Sequence, residues 1–274
     1  MKPSPPCSRR SVFVRLLIAG SAGISISLAA DPPAAAAASP AKQLMDQVVA
    51  ARQTAGFSAR GRLVISKGGQ TVKTVQFLAK GRQTAAGSDF LYLALYPAAE
   101  KGRAVVVHRD PARKITGFLR EPAGTTTALT ATQRHQPLFG SDLTIEEMSA
   151  DFWHWPSPEI KGTEKVLRRE CQIVEVRAPK GEKSGTGTVR AWISPEISLP
   201  LRVETYSSDG KLMKRTECTN IVKSGGRYSM EKVTIDSPAT GQQTLVDFSK
   251  GSRDIAVGAE EFTAEGITKM LQEK

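Results

Sequence analysis

Three histidines and two cysteines are the first places to look for chemistry in the body of this chain. His108 ends a strand-like run, His135 lies in a long polar loop, and His154 stands between Trp153 and Trp155. No His-x-His, His-Glu-x-x-His or Cys-x-x-Cys spacing occurs, so no metal site is expected. A serine nucleophile on an elbow needs Gly-x-Ser-x-Gly within strand–helix alternation, and the chain has neither. Gly181–Gly187 superficially resembles a phosphate loop but leads into a strand, where a flexible hairpin loop is the simpler account. No catalytic residue, metal or cofactor is therefore expected, and the chain is read as a non-enzyme. Cys171 and Cys218 are the only cysteines beyond residue 30. In an oxidising compartment such a pair forms either a disulfide or two separate buried thiols, and two intervening strands favour neither outright.

Aromatic residues are sparse, which makes Phe152-Trp153-His154-Trp155 stand out. Just ahead of it, Thr144 and Glu147 have the spacing of a capping box, and Ile145, Met148 and Phe152 share one helical face. Pro156 forbids continuation. The spacing predicts a short amphipathic helix ending in aromatic side chains, either plugged into the core or forming a wall against a lipid chain.

The elements around it read as strands. Five are expected before it, at 57–67, 71–80, 90–96, 103–108 and 114–120, and six after it, at 166–177, 186–193, 199–206, 211–223, 227–236 and 240–249. Gly68-Gly69, Ser208-Asp209-Gly210 and Gly225-Gly226 mark tight turns, so neighbours pair antiparallel. Helices are expected at 41–55 and 264–271, and a long loop at 122–139. About eleven antiparallel strands form either a filled sandwich or one strongly curled sheet. Periodicity does not choose between them, although a helix interrupting the strands favours the curled form.

Residues 1–30 carry Arg9, Arg10 and Arg15 around an apolar run ending in Ser27-Leu28-Ala29-Ala30, the pattern of a secretory signal peptide on the Sec or twin-arginine route. An Ala/Pro-rich tether is expected at 31–40 and a single domain at 41–274, in the periplasm. Removing residues 1–30 takes away Lys2, Arg9, Arg10 and Arg15 and no acid, leaving 34 basic against 27 acidic residues, a net +7. That charge suits contact with an anionic membrane surface or simple solvation. No nucleic-acid motif accompanies it, and no nucleic-acid partner is expected.

The run Phe139-Gly140-Ser141-Asp142-Leu143-Thr144-Ile145-Glu146-Glu147-Met148 resembles a segment of the outer-membrane lipoprotein-sorting family, the LolA-like periplasmic carriers. The resemblance continues through Phe152, Trp155-Pro156, Glu170–Val176, Val189–Ile193, Leu199–Arg202 and Asp209–Leu212, and departs from the family pattern at Thr144-Ile145-Glu146. It implies an incomplete, half-open antiparallel barrel covered by helices and holding lipid or lipoprotein acyl chains without catalysis. An inner-membrane transporter and an outer-membrane acceptor are the implied partners. A sensor of mislocalised lipid on the same half-barrel, and a secreted hydrolase, are the alternatives. Apolar alternation, taken with that fold, places in the cavity lining Leu91, Leu93, Leu95, Val105, Val107, Phe118, Leu119, Phe139, Met148, Phe152, Trp153 and Trp155.

Overall fold

The computed structural model describes residues 38–147, 151–181 and 185–273. The expected signal peptide, most of the tether and Met148 lie outside the described residues.

Helix α1 (Pro40–Arg52) starts where the Ser39 hydroxyl accepts from the Lys42 N–H at 3.2 Å, with proline at the first helical position. It buries Ala41, Leu44, Met45 and Val48. At its far end the Arg253 guanidinium donates to the Ala51 and Arg52 carbonyls, both at 3.3 Å. A cation thus meets the negative end of the helix dipole and satisfies carbonyls left over by the last turn.

Among the described residues thirteen strands follow: β1 (Gly56–Lys67), β2 (Gln70–Thr84), β3 (Gly87–Tyr96), β4 (Ala104–Arg109), β5 (Ile115–Arg120), β6 (Thr126–Ala128), β7 (Glu159–Val166), β8 (Arg169–Arg177), β9 (Thr186–Ser194), β10 (Leu199–Ser207), β11 (Leu212–Ser224), β12 (Arg227–Ser237) and β13 (Gln242–Arg253). They form one antiparallel sheet in the order β6-β5-β4-β3-β2-β1-β13-β12-β11-β10-β9-β8-β7. The chain therefore starts at the middle, runs out to the β6 edge, crosses to the β7 edge, and returns to pair β13 with β1. Because β6 and β7 remain edges, the sheet is an incomplete barrel. The short hairpins explain the antiparallel order: Gly68 and Gly69 both take positive φ between Lys67 and Gln70, as a two-residue turn of matching twist requires.

Thirteen strands exceed the expected eleven because both edges escaped the apolar pattern. β6 consists of three exposed residues, and every residue of β7 except Gly162 and Val166 is exposed. An edge strand facing water has no reason to alternate, and charges such as Lys161 and Glu164 discourage pairing with a further strand. The expected loop at 122–139 also contains α2 (Ala131–Arg134), closed by a Thr130/Gln133 capping box.

The central amphipathic helix is the main correction. Thr144 and Glu147 do make the capping-box contacts, N–H to carboxylate at 2.9 Å and N–H to hydroxyl at 3.2 Å. They close a single turn, and the aromatic run forms a 3-10 turn over Asp151–His154. Thr144 is also held in a β-bridge to Pro137. Residues 145–147 lie in the first turn and 151–154 in the second, while 148–150 between them lie outside the described residues.

The sheet has two unlike faces. The face beneath α1 and the crossover between β6 and β7, here the inner face, carries rows such as Ala79–Tyr92–Val105–Leu119 and Val75–Leu63–Val246–Val233. The outer face carries Lys80–Leu91–Val106–Phe118. Helix α3 (Ala264–Gln272) covers that side with the fully buried Ile267. Its start is capped by Thr263, whose hydroxyl accepts from the Gly266 N–H at 3.0 Å.

Candidate functional site

The candidate site is the inner face and the crossover laid over it. Phe139-Gly140-Ser141-Asp142 builds the anchor. Phe139 and Gly140 turn the chain through positive φ (54° and 82°), and the Phe139 side chain is buried. A left-handed phenylalanine costs about 1 kcal/mol and persists only where its surroundings demand it. The Ser141 hydroxyl donates to the Leu138 carbonyl at 2.7 Å and accepts from the Leu143 N–H at 3.2 Å. Asp142 and Thr244 of β13 then lock together. The Thr244 hydroxyl donates to the Asp142 carboxylate at 2.7 Å and accepts from the Asp142 N–H at 3.0 Å. Both residues are buried, so neither bond competes with bulk water. Lys214 of β11 adds a bidentate contact to Glu147, at 2.6 and 2.7 Å.

Two apolar clusters share the inner face. One joins Leu63, Phe77, Tyr92, Val105 and Val107 to Leu138, Phe139 and Ile145 of the crossover. The other joins α1 to Trp153, Trp155, Val174, Val189 and Ile193. Phe57, Phe90, Leu119, Met230 and Phe248 pack on the first cluster and stay half-buried. Arg52, at the end of α1, keeps an exposed surface, yet burial lowers its pKa, with the Tyr92 phenol opposing. Its guanidinium reaches back over the inner-face cluster at Trp153. It lies 5.4 Å from the centre of the Trp153 ring, a cation–π contact. Burial pushes the Tyr92 phenol far up, with Arg52 opposing, so it stays protonated.

The structure brings Val105, Val107, Leu119 and Phe139 together in the first inner cluster and Phe152, Trp153 and Trp155 in the second. Leu91, Leu93, Leu95 and Phe118 sit on the outer face with α3 and Phe262, so they do not share a cavity with the others. The stretch 90–96 is apolar on both faces, and alternation cannot say which register turns inward. Phe90, Tyr92 and Ala94 do. Sequence reasoning also missed Arg52 and Thr244, whose roles depend on partners in distant parts of the chain. Thr244, between Gln243 and Leu245 in β13, carries no local signal of its role. Cys171 and Cys218 are free, buried thiols in one cluster with Trp192 and Leu201. Burial raises both pKa values, that of Cys218 to about 11, which leaves them protonated and unreactive. Among the described residues no group of three or more His, Cys, Asp or Glu side chains could hold a metal.

Known structures share this architecture. A DUF1329 family protein from Desulfovibrio piger superposes with a TM-score of 0.76 at 18% identity, covering 83% of this chain and 97% of its own. A domain assigned to outer-membrane lipoprotein sorting, from Vibrio parahaemolyticus, gives 0.74 at 17% identity, covering 82% and 97%. A LolA superfamily protein from Nitrosomonas europaea gives 0.62 at 16% identity, covering 82% and 98%. No curated protein matches the chain. A family model described as that of an uncharacterized protein matches residues 86–269, about two thirds of the sequence. The chain therefore belongs to that family, and its fold is that of the LolA-like outer-membrane lipoprotein-sorting proteins.

Proposed function

We propose that the protein is a non-enzymatic periplasmic carrier that holds the acyl chains of a lipid or lipoprotein against the inner face. In this reading residues 1–30 direct export and are removed, and residues 41–274 act as one domain. Cargo passes from an inner-membrane donor to an outer-membrane acceptor. The observation that carries it is the set of half-buried apolar side chains, Phe57, Phe90, Leu119, Met230 and Phe248, on a face otherwise packed shut. A monomeric domain gains by burying such surface, and a crossover held by a few polar anchors can move to admit a chain.

Energetics fit a reversible grip. Burying acyl chain contributes about 0.8 kcal/mol per methylene, so a chain of about 16 carbons offers on the order of 10 kcal/mol gross. Ordering and desolvation offset a large part of it. The test is mass spectrometry of lipids extracted from natively purified protein. Stoichiometric acyl lipid is expected, and lipid-free protein that also fails to take up a fluorescent fatty acid would refute the reading.

A further inference from the structure

One row across the inner face is built of small residues. Through β13, β1, β2 and β3 it reads Gly251–Ala59–Ala79–Tyr92. The rows on either side carry phenylalanine rings seated over glycines. A Cβ at Gly81 would lie 2.3 Å from the Phe57 ring, and one at Gly61 would lie 2.7 Å from the Phe77 ring. Between these two aromatic banks the row forms a trough with no side chain beyond Cβ until Tyr92. Gly251 is exposed and Ala59 half-buried at its outer end, whereas Ala79 and Tyr92 are buried. Its length is three strand spacings, about 14 Å.

Hydrogen-bond donors without acceptors gather at the Tyr92 end. Trp153 is 2% exposed, and its indole N–H is buried with no hydrogen-bond partner. The Arg52 guanidinium lies 5.4 Å from the centre of that ring, and among the described residues no carboxylate pairs with it. The Tyr92 phenol is close enough for the Arg52 charge to act on it, and burial keeps it protonated, so it can also donate. A buried donor left unpaired is costly, and native folds seldom keep one without a use. Here an indole N–H, a guanidinium and a phenol lie together beside an apolar trough that supplies no acceptor.

We propose that the trough binds a fatty-acid anion head inward, its carboxylate on Arg52, Trp153 and Tyr92 and its tail between Phe57 and Phe77. The proposal rests on the carrier reading and names its cargo class. One unpaired guanidinium matches one negative charge, and its planar fork matches the two oxygens of a carboxylate. The indole and phenol donors replace water around that carboxylate, so desolvating it is offset where the bonds form. An uncharged head such as an alcohol would leave the guanidinium uncompensated. The row of small residues gives the tail its path, toward the exposed end at Gly251.

The test titrates the full exported protein and its R52Q variant with dodecanoate, dodecanol and acetate. Wild type is expected to bind dodecanoate at least tenfold tighter than dodecanol and at least a hundredfold tighter than acetate. R52Q is expected to bring dodecanoate to within twofold of dodecanol. Y92F, which removes one hydroxyl, serves where R52Q does not fold, and it should reduce the preference for dodecanoate about tenfold. A preference at the wild-type level in either folded variant overturns the assignment. Acetate binding as tightly as dodecanoate also overturns it, in favour of a free-anion site. Failure of wild type to bind dodecanoate or dodecanol refutes the carrier reading itself, whereas equal binding of the two refutes only the carboxylate site.

Discussion

Replacing Thr244 by valine tests whether the crossover is held down by the Asp142–Thr244 lock. Valine nearly preserves the volume and removes one hydroxyl, which donates to the Asp142 carboxylate at 2.7 Å and accepts from its N–H at 3.0 Å. Both residues are buried, Thr244 completely. Losing a hydrogen bond to a carboxylate costs about 2 kcal/mol, and the stranded N–H adds about 1, for a total of about 3 kcal/mol. Each 1.4 kcal/mol is a factor of ten, so opening of the crossover should become about 150-fold more frequent. Hydrogen exchange followed by mass spectrometry reads this on the amides of Leu138, Ser141, Ile145 and Glu146, which bond within the crossover segment. The melting temperature should fall by about 6–12 °C for a domain of this size. Thr244→Ser, which restores the hydroxyl, should bring exchange back to within about fivefold, since only a methyl group is missing. A folded Thr244→Val protein whose crossover amides exchange as in wild type would refute the argument that this pair holds the crossover.

Three further outcomes are expected. The two registers of β3 should behave differently: Leu91→Ala, on the outer face under α3, should cost about 3 kcal/mol of stability and leave lipid affinity in the folded protein within twofold. Phe90→Ala, on the inner face, should weaken lipid binding about tenfold, from the loss of about 1.5 kcal/mol of burial. His154 has a folded pKa below the ordinary 6.5, so the unfolded chain binds the extra proton first and stability declines as pH falls through 6.5 toward the folded value. Melting curves of wild type and H154Q should diverge on the acidic side and run parallel above pH about 7.5; divergence on the alkaline side would contradict that sign. Iodoacetamide without reductant should leave Cys171 and Cys218 unmodified in the native protein at pH about 8 and modify both after unfolding, because burial raises both pKa values. A denatured chain that takes up no label would mean a disulfide.

The local elements of the fold were legible in the residues because they depend on short-range chemistry. Gly68-Gly69 and Gly225-Gly226 make their hairpins, and Thr144 and Glu147 make their capping contacts. What followed the capping box was not legible. A 3-10 turn over Asp151–His154 stands where helical spacing was expected to continue, and the lock of Asp142 onto β13, 102 residues away, has no local signal. Period-two alternation identifies a strand but is silent about which side faces inward when both sides are apolar; Phe90 lies on the inner face and Leu91 on the outer. Edge strands β6 and β7 carry no alternation to read because neither is buried on a face. The Phe139–Asp142 run was recognisable as a motif in the sequence, but its work required Thr244. Arg52, Tyr92 and Trp153 meet only because the end of α1 and the crossover cover the same part of the inner face. Sequence alone determines propensity, turn chemistry and charge, which act over a few residues. Tertiary structure decides the facing of strands and the meeting of distant side chains, because both depend on how one curled sheet covers its own interior.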